Sequence, residues 1–363
     1  MRIAARPWTV STGQLGLRYG SPRAKDQRMI RLDSVKIERF RGIRSGEVSG
    51  FADVNLMIGR NNCGKSTVAE AITLATVGSA GNPQQPIVAL HENKCGPFVR
   101  NAYDAWAIQR HETQRSAEEF WFQSDQTSPY RCETTIVDDR GEQVLRSGVV
   151  FESSAKMERI HDSLDRSNNS GPARFARDAN VFLPADARCT DIEKAAWPRL
   201  LTARKDKAIV TAINEVFGMD VEQLSLPPDG RMMLLLPQQG LPLDVYGDGT
   251  RAALRSLIVL ASMQGTLYIM EEPECHQHPG SLERFAKVIC KLAKSQSVQL
   301  LITTHSVECV KAFLEAAAEG DSESAVFHLR LEEGELTSRR LDAETVESLQ
   351  STGVDVRTLD LYV

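Results

Sequence analysis

The sequence predicts an α/β fold: a mostly parallel sheet flanked by helices, with an antiparallel β subdomain and a helical or loop insert. Three observations predict it. The last third of the chain alternates apolar runs of strand length with segments of helical spacing, the order that builds a parallel sheet covered by helices. Near residue 60 a glycine-rich loop stands between a strand-like and a helix-like run. Between 117 and 152 the pattern turns to short strands separated by turn residues.

The elements follow in order. Over residues 1–31 seven Arg or Lys stand against one Asp. Such an arm can touch phosphate backbones, but 1–30 read better as a disordered start, since alternation begins only after Met29. RLDSVKIER (31–39) alternates and reads as a strand, and FADVNLMIG (51–59) as a second. Residues 66–78 carry Val68, Ala71, Ile72, Leu74 and Ala75 at helical spacing, and 79–100 read as loop. EEFWFQ, RCETTIVDD and GEQVLRSGVVFE read as strands, the last two around the turn Asp138–Gly141. The polar stretch 153–180 reads as a loop or lid, and NVFLPAD (180–186) as a short strand.

Residues 190–217 read as helical, with Trp197, Leu200, Leu201, Ile209 and Ile213 as core candidates. Asp229-Gly230 between apolar runs predicts a hairpin. Then come a helix over 250–263, a strand over 265–270, a helix near 280–294, a strand over 298–304, a helix near 306–318 and a strand over 324–332. The expected organisation is a main domain over 31–345, an insert at about 96–200, and a C-terminal tail over 346–363. Glu344 and Glu347 read as a solvated helix face.

Composition narrows the class. At 42% hydrophobic and 25% charged residues, the 363-residue chain matches ordinary globular usage. No apolar run approaches the ~20 residues of a membrane span, so no membrane role is expected. Seven scattered cysteines without a CxxC pair fit a reduced, cytoplasmic compartment. The net charge of −5 by itself argues neither for nor against nucleic acid.

Gly59-Arg60-Asn61-Asn62-Cys63-Gly64-Lys65-Ser66, followed by Thr67, fits GxxxxGK[ST]. Successive backbone N–H groups there form a nest for phosphate oxygens, and the following helix aims its N-terminal dipole at the anion. Lys65 is expected to neutralise β- and γ-phosphates, and the Ser66 hydroxyl to ligate Mg²⁺. Cys63 reads as a small filler rather than a reactive thiol.

The stretch IMEEPECHQHP (269–279) at first suggests a metal cluster. Cys275, His276 and His278 lack an obvious fourth ligand for zinc. The first acids are more informative, because they end a buried-type strand, where open α/β sheets place their sites. Glu271 can hold Mg²⁺ through water, and Glu272 can act as general base on an attacking water. A second apolar strand ends in Thr303-Thr304-His305-Ser306, which puts His305 in reach of a γ-phosphate. Gly247-Asp248-Gly249-Thr250, before a helix, forms a second nest that suits another subunit's nucleotide.

Together IERFRGI (37–43), GRNNCGKST (59–67), VFLPAD (181–186), GDGTRAAL (247–254), YIMEEPECHQHP (268–279) and LLITTHS (300–306) resemble an ABC-type ATPase head, a P-loop NTPase of the SMC/RecF/OLD superfamily. The chain is similar to the stand-alone AAA-15/AAA-21 ATPases of prokaryotes. The resemblance implies ATP and Mg²⁺ as cofactors. Lys65 and Ser66 take the Walker A positions, Glu271 the metal-side Walker B position (where Asp is commoner), and Glu272 that of the catalytic base. Gly247–Thr250 matches the signature motif that caps the partner's γ-phosphate, and His305 matches the switch histidine. Gly247 stands where the family has serine, so a hydroxyl is missing and turnover is expected to be slow. Gln84, Gln85 and Gln109 are unconvincing candidates for the Mg²⁺-sensing glutamine.

The resemblance further implies a homodimer with ATP sandwiched between heads, acting on DNA or RNA in repair or anti-phage defence. The Toprim nuclease domain of OLD proteins is missing from this sequence, so a nuclease or other effector is expected as a separate protein. Arg39, Arg41 and Arg44 are candidate nucleic-acid contacts, or else pair with acids nearby. The competing reading is a nucleotide-gated scaffold that hardly hydrolyses ATP. A transporter ATPase fits poorly, because about 200 residues and a strand-rich insert separate the two Walker motifs. A GTPase fits less well still, since HENK (91–94) lacks the rest of a base-reading motif.

Overall fold

β1 (Arg31–Phe40) buries Leu32, Val35, Ile37 and Phe40 and turns back into β2 (Ile43–Ser49), with Phe40 opposite Ile43. Arg39 and Arg41 make the corner in the left-handed region, at φ 60° and 53°. The sequence pattern shows only the first of these strands, because IRSGEVS carries too few apolar residues to alternate clearly. β3 (Val54–Ile58) is buried throughout, as a strand covered on both faces must be. It runs through the glycine loop into α1 (Lys65–Val77). The computed structural model describes residues 30–77, 130–138, 140–153, 156–163, 181–183, 190–228 and 230–361. The basic arm, the strand EEFWFQ, Gln84, Gln85 and Gln109 lie outside these residues.

β4 (Tyr130–Val137), β5 (Gln143–Ser153) and β6 (Lys156–Ser163) form an antiparallel meander. The Asp138 carboxylate closes its first turn by accepting from the Arg140 and Glu142 N–H groups at 3.0 Å each. β6 corrects the loop reading at 156–163, and 164–180 lie outside the described residues. Its sequence, KMERIHDS, is charged, as edge strands commonly are, and among the described residues it is the outermost strand.

After β7 (Val181–Leu183), the 190–217 stretch splits into α2 (Thr190–Thr202) and α3 (Asp206–Phe217). Trp197, Leu200, Ile209 and Ile213 are buried, but Leu201 is 48% exposed, being one helical step round from Leu200. β8 (Gln223–Ser225), β9 (Met233–Leu235) and β10 (Gly240–Pro242) form a small separate sheet. The predicted hairpin is β8–β9, closed by a long loop in which Gly230 has φ 78°.

The rest alternates as predicted: α4 (Asp248–Ser262), β11 (Leu267–Glu271), α5 (Pro279–Ser295), β12 (Gln299–Thr303), α6 (Val307–Glu319) and β13 (Ser324–Glu332). β14 (Glu335–Leu341), α7 (Ala343–Ser351) and a 3-10 segment (Val356–Leu361) follow. The segment expected as a tail therefore folds onto the body, with Val346, Val356 and Leu359 buried, while Glu344 and Glu347 face solvent.

Among the described residues the main sheet has eleven strands, in the order β6-β5-β4-β1-β2-β14-β13-β3-β12-β11-β7. β13, β3, β12, β11 and β7 are parallel to their neighbours in this run. The antiparallel strands are not a detached subdomain. They continue the same sheet through β14, which pairs parallel with β2.

Alternation along the central strands divides two cores. Leu56, Tyr268, Met270, Leu300 and Ile302 face one. Met57, Leu267, Ile269 and Leu301 face the other, beneath α1. A buried polar side chain needs hydrogen-bond partners. Gln299, for example, accepts from Leu32 N–H at 2.8 Å and donates to the Leu32 and Ala52 carbonyls at 3.0 and 2.7 Å.

Candidate functional site

The parallel ladder lines up three strand ends. Glu271 lies beside Thr303, and Thr303 beside Met57. The glycine loop, Glu272 and His305 therefore leave the sheet along one edge, the edge at which open α/β sheets bind ligands.

Gly59 enters the loop at φ 136°, where a Cβ would lie 2.5 Å from the Leu329 carbonyl oxygen and 2.8 Å from Cys63 Sγ. Only glycine fits there. α1 then begins at Lys65, so its first N–H groups have no partner within the helix. Lys65 is buried, and its Nζ donates to the carbonyls of Gly59 and Arg60 at 3.0 and 3.1 Å. Burial lowers its pKa, and the charges of Glu272 and Glu274 oppose that shift. Cys63 is buried and its thiol pKa is pushed up by burial, consistent with a filler. Ser66 is exposed on the first turn of α1.

Glu271 ends β11 almost buried, and Glu272 follows in the left-handed region at φ 44°. A non-glycine residue there is strained and needs support from its surroundings. The Glu272 N–H supplies some, donating to the Thr303 carbonyl at 2.8 Å. Its carboxylate meets His305 Nε2 at 3.5 Å and accepts from Cys275 Sγ at 3.5 Å. Burial lowers the His305 pKa and Lys65 adds to the effect, while Glu272 and Glu274 oppose it.

Glu274 is the residue that pattern reading missed. It accepts from Thr304 Oγ1 at 2.5 Å and from His305 N–H at 3.2 Å. Its partner lies 30 positions away, which no local pattern reports. His278 caps α5, its Nδ1 accepting from Gly280 N–H at 3.2 Å. Among the described residues, no three His, Cys, Asp or Glu side chains gather as a metal cluster.

Gly247 is the N-cap of α4, with open space where a side chain would stand. A Cβ on Gly249 would lie 2.6 Å from the His276 carbonyl oxygen, and Gln277 Nε2 donates to the Gly249 carbonyl at 2.7 Å. The start of α4 is thus clamped to the turn after Glu272. The Glu272 charge favours the charged forms of both Lys65 and His305, whereas Lys65 disfavours the imidazolium. Arg41 forms an ion pair with Glu70 of α1, whose side chain is fully buried, so part of the basic cluster is engaged inside the fold.

The residues fit a nucleotide with its Mg²⁺. The loop excludes side chains at Gly59, the Lys65 ammonium rests on loop carbonyls, and Ser66 and Glu271 offer hard oxygen ligands.

Sequence models agree with this geometry. A model of the AAA domain matches residues 34–211, and one of the AAA ATPase domain matches residues 187–310. An uncharacterized protein of Methanocaldococcus jannaschii, MJECL11, is 29% identical over 112 residues, 31% of this chain and 98% of its own.

Among solved structures, an SMC head bound to the C-terminal winged-helix domain of ScpA matches with a TM-score of 0.56, at 15% identity, covering 87% of this chain and 99% of that one. The SMC head with an extended coiled coil, bound to the C-terminal domain of ScpA from Pyrococcus furiosus, gives 0.54 at 12% identity, covering 89% and 99%. The SMC head from Thermotoga maritima gives 0.50 at 14%, covering 86% and 100%. The fold is that of SMC head domains. Among the described residues, no helix is long and apolar enough to cross a membrane.

Proposed function

We propose that the chain binds ATP with Mg²⁺ and hydrolyses it slowly between two heads of a homodimer. The observation that carries this reading is the convergence of Lys65, Glu272 and His305 at one sheet edge, with Glu272 3.5 Å from His305 Nε2. On nucleotide binding, Lys65 exchanges loop carbonyls for phosphate oxygens. Ser66 and Glu271 would hold Mg²⁺, which when bound neutralises phosphate charge. Glu272 takes a proton from the attacking water, and His305 orients that carboxylate and meets the terminal phosphate. The partner's Gly247–Thr250 caps that phosphate with backbone N–H groups alone, since Gly247 has no hydroxyl.

The proposed work of this cycle is to regulate a nucleic-acid-processing complex in DNA repair or anti-phage defence, with a separate nuclease or effector. Support comes from the likeness to SMC heads, some of which are solved in complex with ScpA domains. Phosphate release and ATP-dependent dimerisation, compared between wild type and Glu272→Gln, test the reading. Dimers that form without turnover in the variant support it. An unchanged rate sinks it. Nucleic-acid binding is tested by salt titration, because phosphate contacts make affinity fall with salt.

A second reading, a nucleotide-gated scaffold, is favoured specifically by Gly247. It predicts ATP-dependent dimers with negligible phosphate release in the wild type.

A further inference from the structure

We propose that Arg357 is a positioning residue for His305: it holds the peptide that carries the imidazole and so sets how His305 meets Glu272. This rests on the assignment of His305 above.

The His305 peptide is gripped from both sides. Its N–H donates to Glu274 Oε1 at 3.2 Å, and its carbonyl accepts from Arg357 Nη1 at 2.8 Å. Arg357 comes from the 3-10 segment at the far end of the chain, 52 residues after His305. The guanidinium is itself fixed. Nε donates to Asp355 Oδ1 at 2.9 Å and Nη2 to Asp355 Oδ2 at 2.7 Å, a bidentate fork. The Arg357 N–H also donates to Asp355 Oδ1, at 2.9 Å. These bonds hold the Asp355 carboxyl below the usual carboxylate range. Val356 and Leu359, both buried, anchor the segment in the core.

The main chain of Arg357 makes a second link. Its carbonyl lies 3.4 Å from His328 Nε2. His328 faces Ile58 in the β13–β3 ladder, one residue before Gly59. Arg357 therefore touches, with its side chain, the segment just after β12 and, with its backbone, β13, and these are the two strands that flank β3. A half-exposed Arg–Asp pair alone contributes little to stability. The additional bond to the His305 carbonyl is what ties this fork to the site, and it is directional. Lys65, Glu272, Glu274 and Arg357 are the charged groups that face the imidazole.

The test compares wild type, Arg357→Ala, His305→Ala and the double variant, by phosphate release, binding of a fluorescent ATP analogue, and NMR of the histidine rings. Arg357→Ala is expected to lower kcat about tenfold, the scale of one lost charge-assisted contact at a reacting centre, with analogue affinity retained. In the His305→Ala background the same substitution should change nothing further. Equal losses in both backgrounds overturn the proposal, because Arg357 would then act on the fold at large. Arg357→Lys keeps a donor and should restore part of the rate at unchanged melting temperature.

Failure of the underlying assignment looks different: His305→Ala would leave kcat intact. The proposal is then decided by NMR. The His305 ring signal must shift or broaden in Arg357→Ala while those of His276 and His278 stay, and an unmoved signal overturns it.

Discussion

His305 Nε2 stands 3.5 Å from Glu272 Oε1, joining the ends of neighbouring parallel strands. Each side chain limits the other. Burial and the nearby Lys65 disfavour the imidazolium, so a neutral ring faces the carboxylate at neutral pH and leaves its charge available to a proton donor.

Replacing Glu272 with Gln keeps the shape and removes the base. Turnover should fall by about a hundredfold or more, with affinity for a fluorescent ATP analogue preserved. Stopped-flow phosphate release and equilibrium binding measure the two. A surviving rate removes Glu272 from the chemistry.

The lowered His305 pKa also makes a stability prediction. Its folded value lies below the ordinary 6.5. Between the folded and unfolded values the unfolded chain binds the extra proton, so stability rises with pH through that window. The contribution is fully present above about pH 6.5 and is lost as pH falls toward the folded value. Denaturant melts of wild type and His305→Gln across about pH 5 to 7 should show the wild type losing ground on the acid side. Parallel curves would contradict the shift.

Two glycines on either side of Asp248 should respond in opposite ways. Gly249→Ala drives a Cβ into the His276 carbonyl and should cost about 1–3 kcal/mol. Gly247→Ser meets open space and adds a capping hydroxyl at the start of α4, worth a few tenths of a kcal/mol. If the missing hydroxyl limits turnover, Gly247→Ser also raises kcat. Thermal melts and phosphate release read both.

Arg41→Ala should remove one charged partner of the Glu70 carboxylate, which is fully buried in α1. A broken buried pair costs about 3 kcal/mol, and removing both partners recovers part of that. Denaturant midpoints for Arg41→Ala, Glu70→Ala and the double variant decide it. Additive losses would show that the pair is not coupled.

What could be read from sequence was local. The phosphate loop is eight consecutive residues whose chemistry dictates their type, and the buried strands β11 and β12 announce themselves as apolar runs. Glu274 and Arg357 could not be found that way, because each acts on His305 from a distant part of the chain. β2, β6 and β14 were hidden for another reason. Their sequences carry charged and polar residues in place of the apolar alternation that marks a strand. The partnership of Gly249 with His276 is likewise a matter of approach, since glycine there looks like any turn glycine until its neighbour is known.

The junction of the two sheet halves has a mechanical consequence. β14 and β2 share two ladder positions, whereas β13 and β14 share seven. The rest of the seam is stitched by side chains, with Ser338 donating to the Glu47 carbonyl and Arg340 to that of Gly50. At its centre Gly46 lets Leu336 approach so closely that any Cβ would lie 2.5 Å from it. The β1–β2 corner, on the far side of this seam, holds α1 through Arg41 and Glu70. The helix that starts at Lys65 is therefore fastened to the antiparallel half at two places, through Arg41 and Glu70 in its first half and through Ser147 Oγ, which donates to the Ala75 carbonyl, near its end.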